Sequence, residues 1–261
     1  MKAHVLSDIH LEKDPPNDQK KLDIRNYFTS NEPTVLFLLG DIGNVFTERY
    51  KTFMRSCSKN YEHVFIILGN HEFYGNTIDD TISYMREFCK SYPNIHFLNE
   101  DVYDFEELGI RIVGTTLWSH VTEEQMSDIR CFIADYRLIQ NWSVQNNNAQ
   151  HQSALEWIKN EIQRSQRDGK KLIIMTHHAP LLKSCHPKQY DSPLSSAFET
   201  DLSNLISTNN HIVLWMYGHS HFSDKRTLMN TLVMSNQYGY GGEMDAHKRF
   251  DENAVIDLCA L

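Results

Sequence analysis

Short apolar runs punctuate the chain, and many of them stop on glycine or on a polar residue able to bind a proton or a metal. The clearest is Val35-Leu36-Phe37-Leu38-Leu39, which breaks off at Gly40-Asp41-Ile42-Gly43-Asn44. An unbroken apolar run of that length, rich in branched residues, predicts a strand buried on both faces. Residues 2–7 predict a strand closing on Asp8-Ile9-His10, and residues 63–68 one closing on Gly69-Asn70-His71-Glu72. Residues 170–176 end on His177-His178, and residues 211–217 on Gly218-His219-Ser220-His221. Further strands are predicted at 94–98, 102–105, 110–114, 231–235 and 254–258.

Apolar residues spaced three and four apart predict helices at 19–30, 46–60, 76–91, 149–167 and 196–207, with a turn at 14–18. Strand, helix, strand, with chemistry at the strand ends, is the βαβ rhythm with one loaded edge. Strands before and after the middle helices predict an α/β (α+β) fold: a two-sheet β-sandwich core flanked by helices. No repeat or linker divides residues 1–261, which read as one domain. Residues 118–148 are irregular and polar, and a long irregular segment inside a compact domain reads as a cap or lid. Its asparagine-rich end, 140–148, reads equally as a surface insertion.

Charge and cysteine content narrow the setting. A net charge of −9, with no long basic run, speaks against gripping nucleic acid by its phosphates. No apolar stretch approaches the ~20 residues of a membrane span. The first residues read as a strand and not as a signal peptide. The five cysteines are widely spaced without a Cys-x-x-Cys pair, which suits reduced thiols in the cytoplasm.

The polar clusters carry the chemistry. A carboxylate at the carboxyl end of a buried strand sits at the mouth of an α/β sheet, where ligands bind. Taken singly, Asp41 reads as well as a helix-capping residue. Strand alternation places Asp8 and His10 on one side, yet a solvated loop pair fits the same two residues. The five clusters together are more regular than scattered surface polarity. Asp, His and Asn without Cys is a nitrogen and oxygen donor set suited to Mn, Fe, Zn or Co, and it is larger than one ion needs.

At this point the chain resembles the calcineurin-like metallophosphoesterases. Their pattern is Asp-x-His, Gly-Asp-x-x-(Asp or Asn), Gly-Asn-His-(Glu or Asp), an isolated His, and Gly-His-x-His. Asp8-Ile9-His10, Gly40-Asp41-Ile42-Gly43-Asn44, Gly69-Asn70-His71-Glu72, His177 and Gly218-His219-Ser220-His221 match it in order. The resemblance implies two divalent ions and hydrolysis of a small phosphorylated substrate, a phosphodiester or phosphomonoester, by a hydroxide shared between the ions. Asp8, His10 and His221 would hold the first ion, Asn70, His177 and His219 the second, and Asp41 would bridge them. His71 would contact the phosphate with Asn70 and protonate the leaving oxygen.

Asn44 stands where many members have an Asp that pairs with the catalytic histidine, so it is expected to orient His71 without adding charge. His178 is expected in the substrate pocket or just behind the ligands. Val45 replaces the phosphate-binding Arg of the protein Ser/Thr phosphatase branch, which speaks against that branch. A nuclease on the same scaffold and a catalytically inactive scaffold member are the competing readings. Tyr74, Trp118, Tyr136, Arg137, Lys225, Tyr238 and Tyr240 are candidates for the pocket wall or for packing.

Overall fold

The computed structural model describes residues 1–13 and 34–261; the turn expected at 14–18 and the helix at 19–30 lie outside the described residues. The strands are β1 (Lys2–Leu6), β2 (Val35–Leu39), β3 (His63–Ile67), β4 (Ile95–Phe97), β5 (Asp101–Phe105), β6 (Ile110–Thr115), β7 (Lys171–Thr176), β8 (Ile212–Tyr217), β9 (Lys225–Leu228), β10 (Thr231–Ser235) and β11 (Val255–Asp257). The helices are α1 (Glu48–Asn60), α2 (Ile78–Cys89), α3 (Met126–Phe132), α4 (Asp135–Leu138), α5 (Val144–Asp168), α6 (Ser203–Ser207) and α7 (Met244–Arg249).

They build two mixed sheets flanked by helices. One sheet runs β11-β1-β2-β3-β4 and the other β5-β6-β7-β8-β10-β9. Within the first, β1 to β4 pair in parallel and β11 is an antiparallel edge. Within the second, β6, β7, β8 and β10 pair in parallel between antiparallel edges β5 and β9. Parallel strands bring their carboxyl ends to the same rim of a sheet, where α/β folds bind ligands.

The continuous apolar strands are explained by burial on both faces. Val5, Phe37 and Phe65 lie in one cross-strand row, and their side chains join Ile112, Ile173 and Leu214 in the core between the sheets. The alternate residues Leu38 and Ile66 point outward, against Tyr50 and Phe53 of α1 and Met85 of α2. On the far side, Leu172, Ile174 and Trp215 pack against Ile158 and Ile162 of α5. Truncating a buried aromatic such as Phe37 to Ala costs about 3–5 kcal/mol in a core of this kind.

Three expectations needed correction. Helix α5 begins at Val144 rather than 149, because the Ser143 hydroxyl caps it by accepting from the Asn146 amide at 3.1 Å. The asparagines there are structural ties: Asn147 donates to Ser119 O and Asn148 to Val121 O, fastening the helix to the segment after β6. The helix expected at 196–207 shrinks to Ser203–Ser207: Ser195–Ala197 form only a short 3-10 turn, and Glu199 then pairs as a bridge with Ala179. Strand β9 and helices α3, α4 and α7 were not expected at all. All are short; α3 and α4 lie in the segment expected to be irregular, and β9 is an edge strand without a buried apolar run. Among the described residues no helix is long and apolar enough to cross a membrane.

Candidate metal centre

The loops leaving β1, β2, β3, β7 and β8 meet between the two sheets. Asp8 N donates to Gly40 O at 3.1 Å and His10 N to Asp41 O at 3.0 Å, so the first two loops pair with each other. Glu72, fully buried, gathers the next: its carboxylate accepts from the amides of Asp41, Ile42 and Gly69 at 2.9, 2.7 and 2.7 Å. Asp41 Oδ1 in turn accepts from His71 N at 2.9 Å, and Asp8 Oδ1 from His219 N at 3.0 Å.

Asp8, His10, Asp41, His219 and His221 all have positive φ, from 49° to 73°. The convergence of Asp8 and His10 therefore comes from left-handed turns and not from strand alternation. Crowding explains two of the glycines. A Cβ on Gly40 (φ 87°) would lie 2.5 Å from Gly69 N, and one on Gly69 would lie 2.2 Å from Asp41 Oδ1.

The side chains aim at a shared centre. Ligand-type atoms of Asp8, His10 and His221 lie within 4.8 Å of one another, as do those of Asp41, His177 and His219. Asp41 stands between the groups, its Oδ2 3.7 Å from His10 Nε2 and 3.5 Å from His177 Nε2. Asn70 Oδ1 completes the second group, 3.1 Å from His177 Nε2 and 3.0 Å from His219 Nδ1.

Metal ions fit this donor set. His10 Nε2 and His221 Nε2 face each other at 2.9 Å, a distance that a shared proton or a bound cation reconciles. The opposite ring nitrogens are anchored, as ligating imidazoles require. Nδ1 of His177 lies 2.8 Å from Leu39 O, that of His221 2.6 Å from Glu243, and that of His10 3.0 Å from Glu12. Burial alone would lower the His177 pKa, but Asp41 and Asp8 override it and raise it to about 9. A field that keeps a proton on a buried imidazole also attracts a divalent cation.

His71 sits beside the centre, its Nε2 4.0 Å from Asp41 Oδ2 and 3.1 Å from Tyr240 OH. Its expected partner, Asn44, does not reach it: Asn44 Oδ1 accepts from the Phe46 amide in the turn before α1. Glu12 takes that place, with Oε1 2.9 Å from His71 Nδ1 and 3.0 Å from His10 Nδ1. Desolvation would raise the Glu12 carboxyl, but the bonds to His10 and His71 hold it down at about 2. For His71, burial opposes the charge, while Asp41 and Glu12 outweigh it and raise the pKa.

Beside this centre lies a cavity of about 330 Å³. Tyr74, Ile133, Leu138 and Phe198 line it together with Lys13 and Tyr240. His178 does not line it; its ring is 1% exposed and packs 4.0 Å behind His219. Of the other candidates for the wall, only Tyr74 and Tyr240 face the cavity. Trp118 packs on Trp142, and Tyr238 on Phe250. Val45 is fully buried in the core. Glu12, Asp135 and Glu243 were missed: Glu12 and Glu243 follow no apolar run, and the run before Asp135, residues 131–134, comes at the end of helix α3 and not of a strand.

A family model described as calcineurin-like phosphoesterase matches residues 1–223. An uncharacterised protein of Acanthamoeba polyphaga mimivirus is 32% identical over 279 residues, spanning 98% of this chain and 96% of that protein. Among solved structures, the phosphopantetheinyl hydrolase (PptH) of Mycobacterium tuberculosis is similar with a TM-score of 0.76 at 15% identity, covering 96% of this chain and 94% of its own. A dimetal phosphatase from Danio rerio gives a TM-score of 0.57 at 13% identity, over 90% of this chain and 87% of its own. At these identities the two structures speak for the fold alone.

Proposed function

The chain belongs to the calcineurin-like phosphoesterase family, and from that premise we propose that it hydrolyses a small phosphodiester or phosphomonoester with two divalent ions at the rim of the sheets. The observation that carries this reading is the meeting of side chains remote in sequence around Asp41. His10 and His177 come from different sheets, and their Nε2 atoms lie 3.7 and 3.5 Å from the same carboxylate oxygen.

Asp8, His10 and His221 would hold one ion and Asn70, His177 and His219 the other, with Asp41 available to both. Bound there, Mn, Fe, Zn or Co would neutralise the phosphate and lower the pKa of a water toward ~7. The chain's own residues do the rest. His71 Nε2 contacts a phosphate oxygen and gives its proton to the leaving oxygen, an effect worth roughly 10²–10⁴ in rate. Glu12 holds the other face of that ring and supports its charge. Tyr240 OH, 3.1 Å from His71 Nε2, fixes the ring toward the cavity.

The organic part of the substrate rests on Tyr74, Ile133, Leu138 and Phe198. A cavity of about 330 Å³ and a net charge of −9 favour a small molecule over a nucleic acid. All five cysteines are free, two of them exposed, which suits a reducing, cytoplasmic setting.

The test is a screen of the Mn²⁺-reconstituted protein. It takes aryl phosphates, bis-aryl phosphodiesters, cyclic nucleotides, dinucleotides and a phosphopantetheinyl ester. Turnover abolished by Asp41→Ala and reduced at least ~10²-fold by His71→Ala supports the reading. Binding of no transition metal after loading would instead leave an inactive scaffold, and salt-dependent binding and cleavage of DNA would mark a nuclease.

A further inference from the structure

Asp135 opens α4, in the segment expected to act as a lid, and only 3% of it is exposed. Its Oδ1 accepts from Asn70 Nδ2 at 2.8 Å and from Tyr74 OH at 2.6 Å. Asn70 Oδ1, on the other side of the carboxamide, is the atom 3.1 Å from His177 Nε2 and 3.0 Å from His219 Nδ1.

A carboxamide has two unlike ends. The oxygen carries lone pairs that can meet a cation; the nitrogen offers only N–H donors. Turning Asn70 over would aim N–H groups at the ion and set its oxygen against the Asp135 carboxylate. Both changes are unfavourable; the first follows from the cation itself, and the second, which also acts before any ion binds, depends on an acceptor at Asp135.

We propose that Asp135 is a positioning residue for the second metal: it holds Asn70 in the one orientation that can ligate. The inference rests on the dinuclear reading given above. The position of α4 is itself fixed to the segment following Asn70. Gly75 N donates to Leu138 O at 2.7 Å and Gln140 N to Asn76 O at 2.9 Å, so the seating of α4 and the orientation of the ligand are one arrangement. A side chain more than sixty residues away thereby selects which end of Asn70 faces the ion.

The test is Mn²⁺ uptake by the metal-free full chain, followed by calorimetric titration and by Mn²⁺ paramagnetic resonance, with no turnover involved. Asp135→Leu should weaken the second ion about 10–100-fold, the usual effect of removing such a support, and leave the first within about twofold. Asp135→Asn keeps an acceptor oxygen and should restore the second ion to within about threefold of the parent. If Asp135→Leu does not fold, Asn70→Asp carries the test. Two carboxylates then face each other, so the second ion should weaken despite the added negative ligand, and Asn70→Asp with Asp135→Asn should recover it.

Equal loss of both ions in Asp135→Leu, or no loss of either, overturns the inference. So does failure of Asp135→Asn to improve on Asn70→Asp alone. A parent chain that takes up two ions while these variants misbehave leaves the dinuclear reading standing. A parent chain that takes up fewer than two overturns both.

Discussion

Glu12 Oε1 and His71 Nδ1 lie 2.9 Å apart across 59 residues of sequence. Through this contact a carboxylate from the loop after β1 supports an imidazole that lines the cavity. Removing the charge by Glu12→Gln takes away one of the groups that raise the His71 pKa. An imidazole acting as an acid works below its pKa, so the alkaline limb of the pH–rate profile should move to lower pH. The maximal rate should fall about 10-fold or more. Asn44→Asp places its charge in the turn before α1 and should leave both quantities nearly unchanged. Steady-state kinetics across pH with the three proteins checks this.

Gly69→Ala is expected to be far more damaging than a single methyl group suggests. The new Cβ would lie 2.2 Å from Asp41 Oδ1 and 2.6 Å from His177 Nε2, so the Asp41 carboxylate and the His177 ring must both shift. Metal stoichiometry by elemental analysis should drop below that of the parent, with activity down at least ~10²-fold. An alanine variant that retains full metal and full rate would contradict the geometry.

Removing the metals should destabilise the chain as well as silence it. Ligands that bind only the native state stabilise it by about 4 kcal/mol when present at 1,000 times their dissociation constant. For a chain of this size that corresponds to roughly 10 °C in melting temperature. Thermal melts with chelator and with excess Mn²⁺ should differ by about that amount. The difference should vanish in Asp41→Ala.

His4 gives the protein a pH dependence unrelated to turnover. It is buried in β1, with Nδ1 2.7 Å from Tyr61 OH, and burial pushes its pKa down to about 4. An unfolded histidine titrates near 6.5, so between about pH 6.5 and 4 the unfolded state takes up a proton that the native state refuses. Stability is therefore complete above pH 6.5 and falls as pH drops to about 4, by on the order of 2–3 kcal/mol. Denaturant melts of the parent and of His4→Gln should converge as pH falls through this window.

The strand ends were the legible part of the sequence. Runs such as Val35 to Leu39 are apolar throughout because both faces are covered, and the ligand-type residues follow them directly. All seven residues assigned to metals from the sequence meet in the fold. The supporting residues were not legible in the same way. Glu12, Asp135 and Glu243 come from segments without a strand's rhythm, and their roles arise only when the loops pair. Asn44 misled for the opposite reason: it stands in a recognisable motif, but its side chain is spent on the Phe46 amide. The asparagines at 146–148 suggested irregular chain, whereas tertiary ties at Ser119 and Val121 make them part of a long helix.

Five of the residues that converge at the candidate metal centre, Asp8, His10, Asp41, His219 and His221, hold left-handed backbone angles. Such conformations cost non-glycine residues roughly 1–2 kcal/mol each, less for Asp and His, which visit them more readily. Together the cost is on the order of a few kcal/mol, a sizeable part of the 5–15 kcal/mol by which a typical folded chain outlasts its unfolded state. Directed evolution toward heat resistance in the presence of a chelator, with no demand for turnover, should therefore drift toward glycine at Asp8, His10 and His221. With divalent ions supplied instead, the stability lent by binding should keep all three residues in place.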